Sequence, residues 1–200
     1  MKVRSLVKLA GAVLVLAFVF GCAEAPKQDM EAAQAALQAA KAAEADRYAA
    51  DLYKAVQDSV DAAMAEVQQQ DSKFALMRNY DRAKAMLQAA VASATAAQDA
   101  AAKNKEAAKA EADTLSKQLV ASIATARELM KKAPKGKEGR AALEMIQNDI
   151  NTLEASAAEI TNAFNSGDFL TAKDKAQAAV TKINSIIEEL NNAIGKARGR

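Results

Sequence analysis

An all-α fold, an elongated helical bundle of coiled-coil-like character, is expected from three features of this 200-residue chain. Only 7 Gly and 2 Pro interrupt it, so turns are few. Alanine recurs throughout; it is the best helix former and loses no side-chain entropy on becoming helical. Larger apolar residues return every three or four positions, the spacing of one helix face. Aromatics make up 4% of the chain and tryptophan is absent, so Ala, Leu, Ile, Val and Met must fill any core. The alternating β-branched and aromatic pattern of a strand is missing. This length allows one or two domains.

The amino terminus reads as an address. Met1–Lys8 carries Lys2, Arg4 and Lys8 and no acid, and Leu9–Phe20 then runs without a charge. As a helix that run would be about 18 Å long, short of a bilayer core of roughly 30 Å. A basic start, a short apolar run and a small residue before the cut fit a secretory signal peptide over residues 1–21, cleaved between Gly21 and Cys22. On residues alone, an N-terminal anchor with an incidental cysteine is the other reading. Val19-Phe20-Gly21-Cys22, however, resembles the lipobox of bacterial lipoproteins, with Phe20 standing where a smaller residue is commoner. The resemblance implies a diacylglyceryl group on the Cys22 thiol, cleavage, and N-acylation of the new terminus, for instance by palmitate. No other cofactor is expected. Ala23 after the cysteine, rather than Asp, implies the periplasmic face of the outer membrane. Three acyl chains exceed the two signals that stable anchoring needs.

Residues 22–29 are expected to form a lipidated tether, followed by helical units over 30–110 and 111–200. The first helix, 30–45, is Ala-rich. Asp46 is expected to cap the next helix, which carries Tyr48, Leu52, Val56, Val60, Met64 and Val67 on one stripe. A weak break falls at Arg78-Asn79, with Asn79 as the following cap. No Gly or Pro appears between Tyr80 and Pro134, which allows one helix of about 54 residues. Its middle, 92–114, holds no apolar residue larger than Ala. That stretch is either a packed alanine seam or a bare spacer. Leu115, Leu119, Ile123 and Met130 then resume the stripe. "KKAPKGKEGR" (131–140) is the clearest loop. Leu143, Ile146, Ile150, Leu153, Ile160 and Phe164 mark the next helix. "NSGD" (165–168) ends it, and Asp168 is expected to cap a last helix through Val180, Ile183, Ile187, Leu190 and Ile194.

An internal repeat supports two three-helix units sharing the long central helix. "NYDRAKAMLQAAV" (79–91) aligns with "DFLTAKDKAQAAV" (168–180), six of thirteen positions being identical. Composition contributes to this match, since alanine identities are cheap here. "GDFLTAKDKAQAAV" is locally similar to the second helix of a tetratricopeptide repeat, but the first-helix signature is missing upstream. "DRYAADLYKAVQDSVDAAMAEV" followed by "RNYDRAKAMLQAAVASA" resembles an uncharacterised family of Ala-rich bacterial envelope lipoproteins, over about residues 28–110. That resemblance implies a helical hairpin on an outer-membrane lipoprotein, a domain with no established activity.

Chemistry is sparse, and no enzyme is expected. There is no histidine, the usual general base and metal ligand. Cys22 would be consumed by lipid. "LSK" (115–117) and "DSK" (71–73) place Ser beside Lys, but in helical pattern. Glu188-Glu189 and Asp149 could be paired carboxylates, but adjacent helix positions do not face one another. Phosphate-cradling Gly loops and calcium loops are absent, and no metal site is expected. With 27 basic and 25 acidic residues, no field for nucleic acid is expected. Removal of 1–21 leaves 24 basic and 25 acidic residues, a net charge of −1.

One local imbalance remains. Lys131, Lys132, Lys135, Lys137 and Arg140 surround a single acid, Glu138. An up-down path brings Lys196, Arg198 and Arg200 beside them. Such a cap would suit an anionic envelope partner, such as peptidoglycan carboxylates, or an envelope protein. Helix-end electrostatics and solubility are the simpler account. The functional expectation is a structural, spacing or scaffolding lipoprotein. The alternative is a binding module whose helices form a groove for a peptide, glycan or lipid. The sequence leaves the oligomeric state open.

Overall fold

A computed structural model describes residues 24–134 and 136–198, with the side chains in that range except those of Lys137, Glu138 and Arg198. The fold is all-α, as the sequence predicts, and no strand occurs among the described residues. The helices are α1 (Lys27–Ala42), α2 (Ala45–Tyr48), α3 (Ala50–Asp71), α4 (Asp81–Lys132), α5 (Lys137–Asn165) and α6 (Phe169–Arg198), with a 3-10 turn at Ala75–Met77. The chain divides into two compact units between Ala102 and Lys103, inside α4. The division thus falls eight residues before the 110/111 boundary expected from the repeat.

The first unit holds α1, α2, α3 and the start of α4. Helix α1 begins at Lys27, not at 30. Pro26 supplies φ −78° and its carbonyl accepts the Met30 N–H at 3.0 Å. Proline at a helix start sacrifices no intrahelical bond. Asp29 in the first turn also complements the helix dipole. Between α1 and α3 the chain turns a corner. Glu44 takes a left-handed φ of 58°, α2 makes one turn, and Ala49 breaks it at φ −143°. Asp46 therefore lies inside α2 and does not cap α3. Burial of Ala45, Tyr48 and Ala49 sets this geometry.

Val56, Val60, Ala63 and Val67 form the buried face of α3, opposite Ala33 and Ala40 of α1. Leu52 is exposed and Met64 only half-buried, so Ala63 holds the stripe position that Met64 was expected to fill. Arg82 of α4 pairs with Glu66 of α3 at 3.7 Å, and Gln88 of α4 donates to Asp29 of α1 at 3.4 Å. All three long helices of the unit are thereby joined.

Helix α4 runs unbroken for 52 residues. Thr95, Thr114, Ser116 and Thr125 each donate to the carbonyl four residues back, within the helix. The alanine stretch is packed. Ala94, Ala97, Ala101, Ala108 and Ala112 are buried, while Ala92, Ala96, Ala102 and Ala110 between them are exposed.

The second unit holds the rest of α4 with α5 and α6. One core joins Leu119 and Ile123 of α4, Ile146, Ile150, Leu153 and Ile160 of α5, and Val180, Ile183, Ile186 and Leu190 of α6. Ile186, not Ile187, is the more deeply buried of its pair. Arg127–Glu154 (2.7 Å), Asp149–Lys182 (2.8 Å) and Glu111–Lys173 (3.6 Å) tie the three helix pairs across their surfaces.

The α5–α6 junction is a Schellman motif. Gly167 sits at φ 83°, its N–H donates to Phe164 O at 3.1 Å, and the Asp168 N–H donates to Ala163 O at 2.9 Å. Asp168 Oδ1 accepts the Thr171 N–H at 3.3 Å, the expected cap. Phe164 and Phe169 close the corner edge to face, 5.2 Å apart.

Buried positions follow the repeat. Ala83, Leu87, Ala90, Ala94, Ala97 and Ala101 match Ala172, Ala176, Ala179, Ile183, Ile186 and Leu190 at a step of 89. In the preceding helices the step is 90: Val56, Val60, Ala63 and Gln70 match Ile146, Ile150, Leu153 and Ile160. The two junctions differ more. Nine residues, 72–80, join α3 to α4, against three, 166–168, between α5 and α6.

Candidate functional site

The expected lipid attachment and cleavage positions, Gly21 and Cys22, lie outside the described residues, as does the rest of Val19–Cys22. What is described begins at Glu24. Pro26 is buried, and Ala25 and Met30 pack on Val67, Tyr80 and Ala83. The lead from Cys22 therefore enters the first unit at the end formed by the α3–α4 junction. The tether expected over 22–29 is ordered helix from Lys27 onward.

That junction is held by polar side chains. Gln70, 7% exposed, donates to Glu66 Oε1 at 2.8 Å. Its Oε1 accepts from Lys73 Nζ at 3.0 Å and from the Asn79 N–H at 3.2 Å. Arg78 donates to the carbonyls of Lys73 (3.0 Å) and Asp71 (2.8 Å). Tyr80 Oη donates to Asp71 Oδ1 at 2.5 Å. This bond, with desolvation and the carboxylate charge behind it, raises the Tyr80 pKa above its ordinary 10.0. Asn79 Oδ1 accepts the Asp81 N–H at 2.8 Å and starts α4 as expected. Within this frame Phe74, Leu76 and Met77 are 71%, 62% and 75% exposed. No sequence pattern points to this exposure. An apolar triplet beside a helix reads as core, and the bonds that hold it outward join residues up to nine apart.

The basic cluster gathers in part. In the second unit, α4 and α6 run in parallel from the Glu111–Lys173 pair, and α5 returns between them. Lys131 and Lys132 at the end of α4, Arg140 at the start of α5 and Lys196 at the end of α6 therefore share one end. Lys132, Arg140 and Lys196 are exposed, and the Lys132 charge acts on Glu128. Lys131 donates to Glu128 at 2.6 Å. That bond and its charge hold the Glu128 carboxyl below the ordinary 4.5. Glu138 is thus not the only acid at this end, because Glu128 also engages it. Lys135 and Arg200 lie outside the described residues, as do the side chains of Lys137 and Arg198. Helix dipoles favour Lys131, Lys132 and Lys196 at their C-terminal turns, but not Arg140 in the first turns of α5.

Neither Ser-Lys pair is assembled. Ser72 donates to Gln69 O and Ser116 to Ala112 O, while Lys73 bonds Gln70 and Lys117 bonds Asp113. Asp149 is taken by Lys182. No group of three potential metal ligands occurs among the described residues. An open groove between α4 and α5 has Met130 and Leu143 as its large apolar lining, flanked by Arg127, Glu128 and Lys131. Both apolar residues also pack on the core, so the groove is short. No described helix is long and apolar enough to cross a membrane. Comparison with protein-family models, curated proteins and solved structures gave no match.

Proposed function

We propose that this chain is a lipoprotein of the bacterial envelope, held by acyl groups on Cys22 at the periplasmic face of the outer membrane. Its helical body serves there as a structural or spacing element, without catalysis. The lipobox-like Val19-Phe20-Gly21-Cys22 supplies the anchor. The observation that carries the structural role is the docked lead: Ala25, Pro26 and Met30 are built into the first unit. An anchor at Cys22 would then grip a folded unit through a few residues, so a push or pull on that unit reaches the membrane. A long flexible tether would dissipate it. Packing supports the same reading, because the apolar stripes of each unit are spent mainly on its own core, Leu52 being the stripe residue left exposed. Lys132, Arg140 and Lys196 offer the body a contact for anionic groups, such as peptidoglycan carboxylates.

The test is membrane partitioning in cells. The native chain should sediment and float with outer membranes, and Cys22→Ser should release it to the periplasm. A Cys22→Ser chain that still floats with membranes would refute the anchor.

A further inference from the structure

We propose that the tip of the α3–α4 junction, Phe74, Leu76 and Met77, enters the interface of the bilayer that holds the Cys22 anchor. This makes a second, non-covalent contact with the same membrane. The inference rests on the anchoring reading and adds to it a specific surface.

Three observations carry it. The first is placement. The tip lies at the end of the first unit where Ala25 and Met30 pack on Val67, Tyr80 and Ala83. Cys22 is four residues before Pro26, a span of at most about 14 Å when fully extended. Lipid on Cys22 therefore keeps this end of the unit close to the headgroups.

The second is that the tip is braced in an exposed state. Gln70, Arg78, Asn79 and Tyr80 bond across the junction, while three large apolar side chains face outward at 62–75% exposure. A junction that needed only to reverse the chain has a three-residue solution in this molecule, 166–168. The longer junction therefore holds apolar surface that the turn itself does not require.

The third is chemical fit. An interfacial contact places apolar groups at the headgroup–acyl boundary with cations beside them. Lys73 precedes Phe74 and Arg78 follows Met77; bonds to Gln70 and to the Lys73 and Asp71 carbonyls fix both cations beside the triplet, with the Asp71 carboxylate at the same end.

Full-length chain purified from membranes and reconstituted in phosphatidylethanolamine–phosphatidylglycerol vesicles tests this. Met77→Cys and, as control, Met145→Cys carry an environment-sensitive fluorophore; Met145 is 70% exposed in the second unit. Cys22 is the only native cysteine, and an acylated sulfur does not take the label. The expected result is blue-shifted emission at 77, quenched by headgroup-proximal spin-labelled lipid, with water-like emission at 145. An acylated, vesicle-bound chain with equal spectra at both positions overturns the tip contact and leaves the anchor standing. A blue shift at 77 without lipid quenching also overturns it, in favour of a second copy or another protein on the tip. Intact mass lacking acyl groups on Cys22 overturns the anchor and the tip together. Matching circular dichroism of both variants to the native chain shows that each is folded.

Discussion

The same substitution, Gly to Ala, should have opposite effects at the two ends of α6. An added Cβ meets nothing within 4 Å at Gly167 or at Gly195, so neither change creates a clash. What differs is the backbone. Gly167 is left-handed at φ 83°, a conformation that costs an L-residue about 1–2 kcal/mol. Loss of unfolded-state freedom returns about 0.4–1 kcal/mol. Gly167→Ala should therefore destabilise by about 1 kcal/mol. Gly195 lies within α6, where alanine is the better helix former. Fraying near the helix end reduces the gain, so Gly195→Ala should stabilise by about 0.5 kcal/mol.

For a unit of about 100 residues, each kcal/mol moves the melting temperature by about 4–8 °C. Thermal unfolding of the Cys22→Ser chain, followed by circular dichroism, should show a fall of about 4–8 °C for Gly167→Ala and a rise of about 2–4 °C for Gly195→Ala. The sites are roughly 42 Å apart along the helix, so the double variant should be additive. A neutral or stabilising Gly167→Ala would refute the Schellman junction. The same sign at both sites would refute the backbone argument altogether.

Ala97→Leu should destabilise by about 1–3 kcal/mol through overpacking of the seam, while Ala96→Leu on the exposed face stays within about 0.5 kcal/mol, both read from urea midpoints. Equal effects would mean that the seam is not packed. Tyr80 has a raised folded pKa, so its stabilisation is full below pH 10.0 and is lost as pH rises through the folded value. Tyr80→Phe should flatten that alkaline loss in a pH series of denaturation midpoints. Glu159 is held below its ordinary 4.5 by Lys175, so its contribution is present above pH 4.5 and is lost as pH falls through the lowered value. Lys175→Met should reduce the acid-side loss, and an unchanged slope would discount the pair.

Features set by local backbone chemistry were legible in the sequence. Pro134 ends α4, Gly167 with Asp168 turns α5 into α6, and Asn79 starts α4. Each acts through its own φ or a bond two to five residues away, so a single chain displays it. Features decided by burial were not legible. Asp46 has the right chemistry for a cap, but Ala45, Tyr48 and Ala49 drive the corner into α2. The seam at 94–112 was undecidable, because a buried and an exposed alanine look alike in a helix pattern. Of the site, Cys22 rests on its motif alone. The basic end was half legible: Glu128 stands three residues before Lys131, a spacing a helix pairs, but it lies outside the 131–140 stretch whose charges were counted. The braced tip was invisible, because it depends on Gln70 and Asp71 reaching forward to Asn79 and Tyr80.

The two units solve stability differently, and the difference bears on the proposed anchor. The second buries Leu119, Ile146, Ile150, Leu153, Ile160, Ile183, Ile186 and Leu190. At about 25 cal/mol per Å² of apolar area removed from water, such side chains give far more than alanines do. The first unit buries Val56, Val60, Val67, Leu87 and two tyrosines among many alanines, so its apolar driving force is smaller. It is also the unit that carries the built-in polar frame of Gln70, Asp71, Arg78 and Tyr80. Bonds of this kind contribute modestly to net stability but fix one geometry, because breaking one strands a partly buried partner. On the anchoring proposed above, a unit held in a set orientation at a membrane would need that fixity more than a deep core. The frame sits where it would matter, between the lead from Cys22 and the exposed apolar tip.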